Sequence, residues 1–166
     1  MPQDHQVQQK SDSHRSSTQN SKWINASQEK LYHAFTDPEA LAVFLAPGEM
    51  TGKVHRFELR AGGGYEMSLF YPRSANESRG KTSGNEDRFK ARFVELTPSE
   101  KIVEAVTFES DDPAFAGEMI MEISFEPEGS GTNVTVLFRN LPSGIRPVDN
   151  EAGTVQTLEK LALYTE

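Results

Sequence analysis

Glu104 is the ionisable side chain most suggestive of chemistry, because it interrupts the apolar run at residues 102–106. In one strand register Glu104 faces the protein interior, where a carboxyl group must be hydrogen-bonded or protonated. An acid held in that way is a candidate proton donor or ligand anchor. In the opposite register Glu104 faces outward, and Val103, Ala105 and Thr107 face inward. Apolar and polar residues alternate too weakly in this run to decide between these registers.

Three further polar side chains are candidates to line the same interior. His55 shares parity with Phe57 in one predicted strand. Tyr65 and Tyr71 share parity with Met67 in the next strand. These groups would add hydrogen-bonding specificity to an otherwise apolar site. For His55 the alternative is a structural role at a strand end, with the imidazole hydrogen-bonded there.

The sequence signals of nucleophilic, metal and nucleotide chemistry are absent. The chain has no cysteine, its four histidines lack metal-ligand spacing, and no G-x-S-x-G sequence occurs. Residues 80–82 read Gly-Lys-Thr, but Ala75 stands where a phosphate-binding loop needs its first glycine. The three glycines at 62–64 lack the GxGxxG spacing. We therefore predict no catalytic residue, no metal and no cofactor.

Two short helices are expected early in the chain. An amphipathic segment from about Ser27 ends near Thr36. Asp37, Pro38 and Glu39 then have the form of an N-cap, a proline at the first helical position and a first-turn acid. The pattern predicts a second helix that begins immediately after the first.

An antiparallel sheet is predicted to follow these helices. Alternation of apolar and polar residues indicates six strands, the first two joined by a turn at glycines 62–64. A polar connection at residues 72–87 is long enough to be either mobile or a functional lid. One more strand near residues 22–25 and a helix from about Asp149 complete the order: strand, two helices, six strands, helix.

Aromatic and methionine side chains share one face of the predicted strands. Methionine beside aromatic residues adapts to varied ligand shapes, because the thioether is flexible and polarizable. The same composition is also that of an ordinary packed core, so a cavity and a solid interior are alternatives here. The candidate ligand-binding residues are His55, Phe57, Leu59, Met67, Leu69, Tyr71, Phe89, Phe93, Glu104, Met119, Met121, Phe138 and Leu158.

Composition and charge predict one soluble, cytoplasmic domain. A chain of 166 residues fits a single domain, and no apolar run has the form of a signal peptide or membrane span. The net charge of -8 disfavours nucleic-acid binding. Residues 1–21 are polar and are predicted to form a disordered tail ahead of a domain at residues 22–166. The oligomeric state is open, a homodimer included.

The chain resembles the SRPBCC or START-like superfamily, and most closely the bacterial branch named after the C-terminal domain of the activator of the ninety-kilodalton heat-shock-protein ATPase. The resemblance covers about residues 22–166. It implies an α+β helix-grip fold, START-like or Bet v-like, in which a curved antiparallel sheet wraps around a long C-terminal helix and two short helices follow the first strand. The segments that carry it are INAS at 24–27, FTDPE at 35–39, LRAGG at 59–63, FVELTPSEKI at 93–102, GT at 131–132 and NLP at 140–142.

The resemblance implies three candidate functions. Members commonly bind a hydrophobic small molecule or lipid-like metabolite between the sheet and the last helix, and we predict this function. A polyketide-cyclase or aromatase-like enzyme would use a similar cavity, with polar groups that polarise carbonyls. A cochaperone would instead stimulate the heat-shock-protein ninety ATPase. The eukaryotic activators, however, make much of their chaperone contact through a separate N-terminal domain, which a tail of 21 residues does not replace.

Overall fold

A single antiparallel sheet and three α-helices account for most of the chain. The computed structural model describes residues 15–72, 81–82 and 84–166. In chain order the elements of this part are β1 (Thr18–Ile24), α1 (Gln28–Phe35), α2 (Pro38–Phe44), β2 (Thr51–Glu58), β3 (Gly64–Phe70), β4 (Glu86–Thr97), β5 (Lys101–Phe108), a 3₁₀ turn (Pro113–Phe115), β6 (Glu118–Glu128), β7 (Gly131–Arg139) and α3 (Pro147–Thr165).

The sheet order is β1-β7-β6-β5-β4-β3-β2, so β2 to β7 form an antiparallel meander and β1 returns to pair with β7. The curved sheet lies against the C-terminal helix. The predicted α+β helix-grip fold is therefore confirmed, with its order of strand, two helices, six strands and helix. Most of the predicted long connection, residues 73–80 and 83, lies outside the described residues.

The two short helices begin at the caps that the sequence predicts. Ser27 Oγ accepts a hydrogen bond from the Lys30 amide at 3.1 Å and caps α1. Asp37 Oδ1 accepts one from the Glu39 amide at 3.1 Å and caps α2, whose first residue is Pro38. Each cap satisfies a backbone donor that the first helical turn leaves unpaired.

The glycine turn between β2 and β3 is required by backbone geometry and close packing. Gly62 has a φ of +87°, a conformation that residues with a Cβ rarely adopt. At Gly64 a Cβ would lie 1.9 Å from the Ala91 carbonyl oxygen. The three glycines therefore serve the turn and the β3–β4 contact.

At one end of the sheet the interior is filled by packed side chains. Ile102, Ile123 and Val134 are fully buried there and belong to the same core as Leu158 and Leu161 of α3. These strand residues lie near the start of β5, the middle of β6 and the start of β7, which antiparallel pairing brings to one end. The residues toward the opposite end of these strands line the cavity described below.

The first strand begins four residues before residue 22, where the sequence analysis placed the start of the domain. β1 begins at Thr18, which pairs with Phe138, and the Leu141 amide donates to the Ser16 carbonyl at 3.0 Å. The start of this strand was missed because residues 18–22 are all polar, with no apolar alternation to mark them. The predicted disorder of residues 1–14 lies outside the described residues.

No helix among the described residues is long and apolar enough to cross a membrane. The cytoplasmic location stays a prediction.

Deleting residues 1–20 is expected to lower the melting temperature by more than about 5 °C, because it removes the first β1–β7 pairs at the sheet edge. Deleting residues 1–14, the matched control, should leave the melting temperature nearly unchanged, since the sequence predicts a disordered tail there. Thermal denaturation followed by circular dichroism checks both. Equal melting temperatures for the two truncated chains would contradict a structural role for the start of β1.

Candidate ligand cavity between the sheet and the C-terminal helix

A cavity of about 270 Å³ lies between the open end of the sheet and the N-terminal half of α3. It is somewhat smaller than typical ligand pockets, which run from roughly 300 to 1,000 Å³. Its walls are mainly apolar, which favours an apolar occupant. The apolar residues that line it are Phe35, Leu45, Pro47, Met50, Leu69, Phe89, Val106, Phe108, Met119, Met121, Val136, Phe138 and Ile145.

Six of the thirteen candidate ligand-binding residues line this cavity. They lie on or immediately after β3, β4, β6 and β7, at inward-facing positions that the period-2 pattern identifies. Their contact with a ligand stays a prediction. The six are Leu69, Tyr71, Phe89, Met119, Met121 and Phe138.

The other seven candidates lie elsewhere. Met67, Phe93 and Leu158 are buried in the core, and Phe57 packs against Tyr65 at 5.9 Å between ring centroids. Leu59, just beyond the end of β2, is 51% exposed, because the chain turns away from the sheet there. None of these five side chains lines the cavity.

His55 occupies a β-bulge that breaks the parity assumed from the sequence. The β2–β3 register shifts between Val54 and Arg56, so His55 is the extra residue of β2. His55 is exposed, and its Nε2 lies 2.8 Å from Ser68 Oγ. Ser68 in turn donates to Glu86. His55 therefore has the hydrogen-bonded structural placement that was the alternative to a cavity position.

Glu104 faces inward, as the first of the two registers predicts, but it does not line the cavity. It is fully buried, and the Tyr65 hydroxyl donates to its Oε1 at 2.7 Å. Its Oε2 has no hydrogen-bond partner within the described part of the chain. Burial raises the pKa of Glu104 to about 7, and the Tyr65 hydrogen bond partly opposes this rise.

Tyr65 completes a buried pair with Glu104. Desolvation, together with the negative charge and hydrogen bond of Glu104, raises the pKa of Tyr65 well above its ordinary value. The raised pKa keeps the Tyr65 hydroxyl protonated at neutral pH, so it can donate to Glu104. Glu104 opposes the wall residue Met121 in register and so shares the inward face of the sheet with it, although neither Glu104 nor Tyr65 lines the cavity.

A cluster of polar residues at the rim of the cavity was not recognised in the sequence. Asp87, only 3% exposed, accepts hydrogen bonds from the Lys81 amide at 2.6 Å, the Lys81 ammonium at 2.8 Å and the Tyr71 hydroxyl at 3.1 Å. Asp87 shares parity with the inward-facing Phe89, a signal that could have identified it. Nothing in the local sequence of Lys81 marks this placement.

The opposite wall is formed by the N-terminal half of α3. Asn150, Thr154 and Thr157 line the cavity there. Their hydroxyl donors are used inside the protein: Thr154 donates to the Asn150 carbonyl at 2.8 Å and Thr157 donates to the Leu45 carbonyl at 3.2 Å. The two threonine hydroxyls of this wall are therefore not free to donate to a ligand.

The connection between α2 and β2 forms a lip that α3 holds in place. The Lys160 ammonium donates to the Ala46 carbonyl and, at 3.5 Å, to the Met50 carbonyl. Burial lowers the pKa of Lys160. Because Leu45 and Met50 line the cavity, this lysine fixes part of its wall from outside.

No group of three or more His, Asp or Glu side chains in the described part of the chain could hold a metal ion. The site is therefore an apolar cavity with a charged, hydrogen-bonded rim.

Comparison with known protein families identifies the fold. The family described as activator of Hsp90 ATPase homolog 1-like protein matches residues 25–166. The chain belongs to this family. The predicted resemblance to the Aha-type branch of the SRPBCC superfamily is thereby confirmed.

Solved structures agree with the AHSA1-like assignment. A protein from Chromobacterium violaceum is 31% identical, with a TM-score of 0.80 over 90% of this chain and 96% of that chain. An AHSA1-like protein from Aeromonas hydrophila is 18% identical, with a TM-score of 0.66 over 90% and 91%. A protein from Mycobacterium smegmatis is 13% identical, with a TM-score of 0.71 over 90% of each chain. The last two comparisons support the fold alone. No curated protein matches the chain.

Glu104 should make the protein less stable as the pH rises. Its folded-state pKa of about 7 lies above the ordinary value of 4.5, so the unfolded chain loses its proton first. Between pH 4.5 and pH 8 the free energy of unfolding should fall by about 3 kcal/mol from this group. Urea denaturation of wild type and Glu104→Gln across this range measures the difference.

The Glu104→Gln chain should lack this fall, while Tyr65→Phe should shift it to higher pH, because the Tyr65 hydrogen bond lowers the pKa of Glu104. Parallel pH profiles for wild type and Glu104→Gln would show that Glu104 is already ionised in the folded protein.

Proposed function

We propose that this AHSA1-like protein binds a hydrophobic small molecule in the cavity between the sheet and α3. The observation that carries the proposal is the apolar cavity itself, about 270 Å³ in volume and walled by the aromatic and methionine side chains at the open end of the sheet. Burial of apolar ligand surface in a preformed pocket is a sufficient source of affinity. Binding of hydrophobic ligands is also common in the family.

The distribution of side-chain sizes along α3 supports the same function. Leu158, Leu161 and Ala162 of its C-terminal half are buried in the core. In its N-terminal half the corresponding face carries Gly153 and Thr154, which are smaller and leave the space unfilled. The cavity therefore follows from the sequence of the helix, and the solid end keeps the fold stable around it.

The enzyme alternative receives less support. Its candidate acid, Glu104, is hydrogen-bonded to Tyr65 and is not among the residues that line the cavity. The chaperone-activating alternative remains open and would be favoured if the cavity bound nothing.

The neutral fluorescent probe N-phenyl-1-naphthylamine should bind with micromolar affinity, on the order of 8 kcal/mol. Val136→Phe adds volume at a position that lines the cavity, so it should abolish probe binding and leave the folded state stable. Fluorescence titration and chemical denaturation measure these two effects.

Val134→Phe is the matched control, because Val134 lies on the same strand and is fully buried, but does not line the cavity. It should cost about 1 to 3 kcal/mol of stability through overpacking. If wild type binds no probe, and Val136→Phe destabilises the protein as much as Val134→Phe, the interior is solid and the proposed function is wrong.

A further inference from the structure

We propose that the ligand of this cavity is an uncharged apolar molecule with one oxygen acceptor, which takes a hydrogen bond from the Lys81 ammonium group. This inference rests on the proposed function and specifies the chemical class of the ligand. Ketones, esters and amides with an apolar body are examples of the class. The argument depends on the donors, the charges and the walls of the rim.

The Lys81 ammonium group has hydrogen-bond donors that no described residue accepts. An ammonium group carries three N–H donors, and within the described residues only Asp87 accepts one, at 2.8 Å. The same nitrogen lies 5.3 Å from the ring centroid of Phe108 and 5.8 Å from that of Phe115. With 19% of its side chain exposed, Lys81 is held between an acid and two aromatic rings at the cavity rim. A ligand oxygen that enters the cavity can accept one of the remaining hydrogens.

Asp87 positions Lys81 and balances its charge. The carboxylate accepts both the amide and the ammonium hydrogens of Lys81, which fixes the backbone and the side chain of that residue together. The Tyr71 hydroxyl donates to the same carboxylate. The rim therefore carries one positive and one negative charge in direct contact, with no net charge in the pair.

This balance selects against an anionic ligand. A carboxylate would bring a second negative charge close to Asp87, whose carboxylate already pairs with the Lys81 ammonium group. An unpaired charge among apolar walls is costly, whereas a neutral oxygen acceptor gains the hydrogen bond without adding charge. The chain as a whole carries a net charge of -8, which further disfavours anions.

The walls determine the rest of the molecule. Phe89, Met119 and Phe138 supply apolar contacts beside the rim, and the two threonine hydroxyls of α3 that line the cavity already donate to backbone carbonyls. The volume of about 270 Å³ suits a compact body such as two fused rings. A ligand with one oxygen acceptor directed to Lys81 and an otherwise apolar body therefore fits the cavity.

Three probes of one shape test the inference: 2-acetylnaphthalene, 2-ethylnaphthalene and 2-naphthoate. Their affinities are measured by isothermal titration calorimetry with the full chain. Wild type should bind the ketone more tightly than the carboxylate. In Lys81→Met the ratio of ketone affinity to hydrocarbon affinity should fall about tenfold, the effect expected for loss of a hydrogen bond to a charged donor.

Lys90→Met is the matched control, because Lys90 is an exposed lysine of β4 whose nearest charged partner is Glu109 at 3.9 Å. It should leave the ratio unchanged. Lys81→Met leaves Asp87 without its cationic partner. The double variant Lys81→Met/Asp87→Asn removes both charges, and its ratio of ketone affinity to hydrocarbon affinity should fall by the same factor.

The outcomes separate the two proposals. If the hydrocarbon binds but the ratio is the same in wild type, Lys81→Met and the double variant, the role of Lys81 is wrong and the ligand cavity stands. Tighter binding of 2-naphthoate than of the ketone would also overturn the inference. If none of the three probes binds, the proposed function itself fails.

Discussion

The packing of α3 against the curved sheet is the constraint on which the rest of the structure depends. Leu158 and Leu161 fill the space above one end of the sheet and leave no room there. Toward the N-terminus of the same helix, Gly153 and Thr154 cannot reach across to the strands, so a cavity forms. The distribution of side-chain sizes along one helix thus divides the interior into a solid part that provides stability and an open part that can receive a ligand.

Two buried carboxylates show how polar groups are accommodated around this interior. Asp87 at the rim accepts three hydrogen bonds, one of them from the Lys81 ammonium group. Glu104, deeper in the sheet, has one hydrogen bond from Tyr65 and no cation, and burial raises its pKa to about 7. The difference in partners gives one acid a cationic partner beside the cavity and leaves the other largely protonated in the core at moderately acidic pH.

The sequence predicted the fold through local signals that tertiary structure did not override. The caps at Ser27 and Asp37, the glycine turn and the alternation along β3, β4 and β6 all correspond to elements of the structure. Where apolar and polar residues alternate without interruption, as at Leu69, Phe89 and Met119, the inward face was also predictable. At His55 the alternation did not predict the direction of the side chain, because a β-bulge shifts the register there.

The position of a residue along a strand was the information the sequence lacked. Met67 and Phe93 face inward like Met119 but lie among core residues away from the cavity, and period 2 alone does not distinguish such neighbours. The start of β1 at Thr18 was missed because backbone pairing holds a polar segment without an apolar pattern. Lys81 reaches the rim through a hydrogen bond to a residue six positions away, which no periodicity encodes.

Methyl NMR of the methionine side chains tests the central claim most directly. Met50, Met119 and Met121 line the cavity, whereas Met67 is fully buried outside it and serves as an internal control. On titration with N-phenyl-1-naphthylamine, the methyl resonances of the three cavity residues should shift and show nuclear Overhauser effects to the probe, while that of Met67 should not contact it. Probe binding without any contact to Met119 or Met121 would contradict the account, because the ligand would then lie outside the space between the sheet and α3.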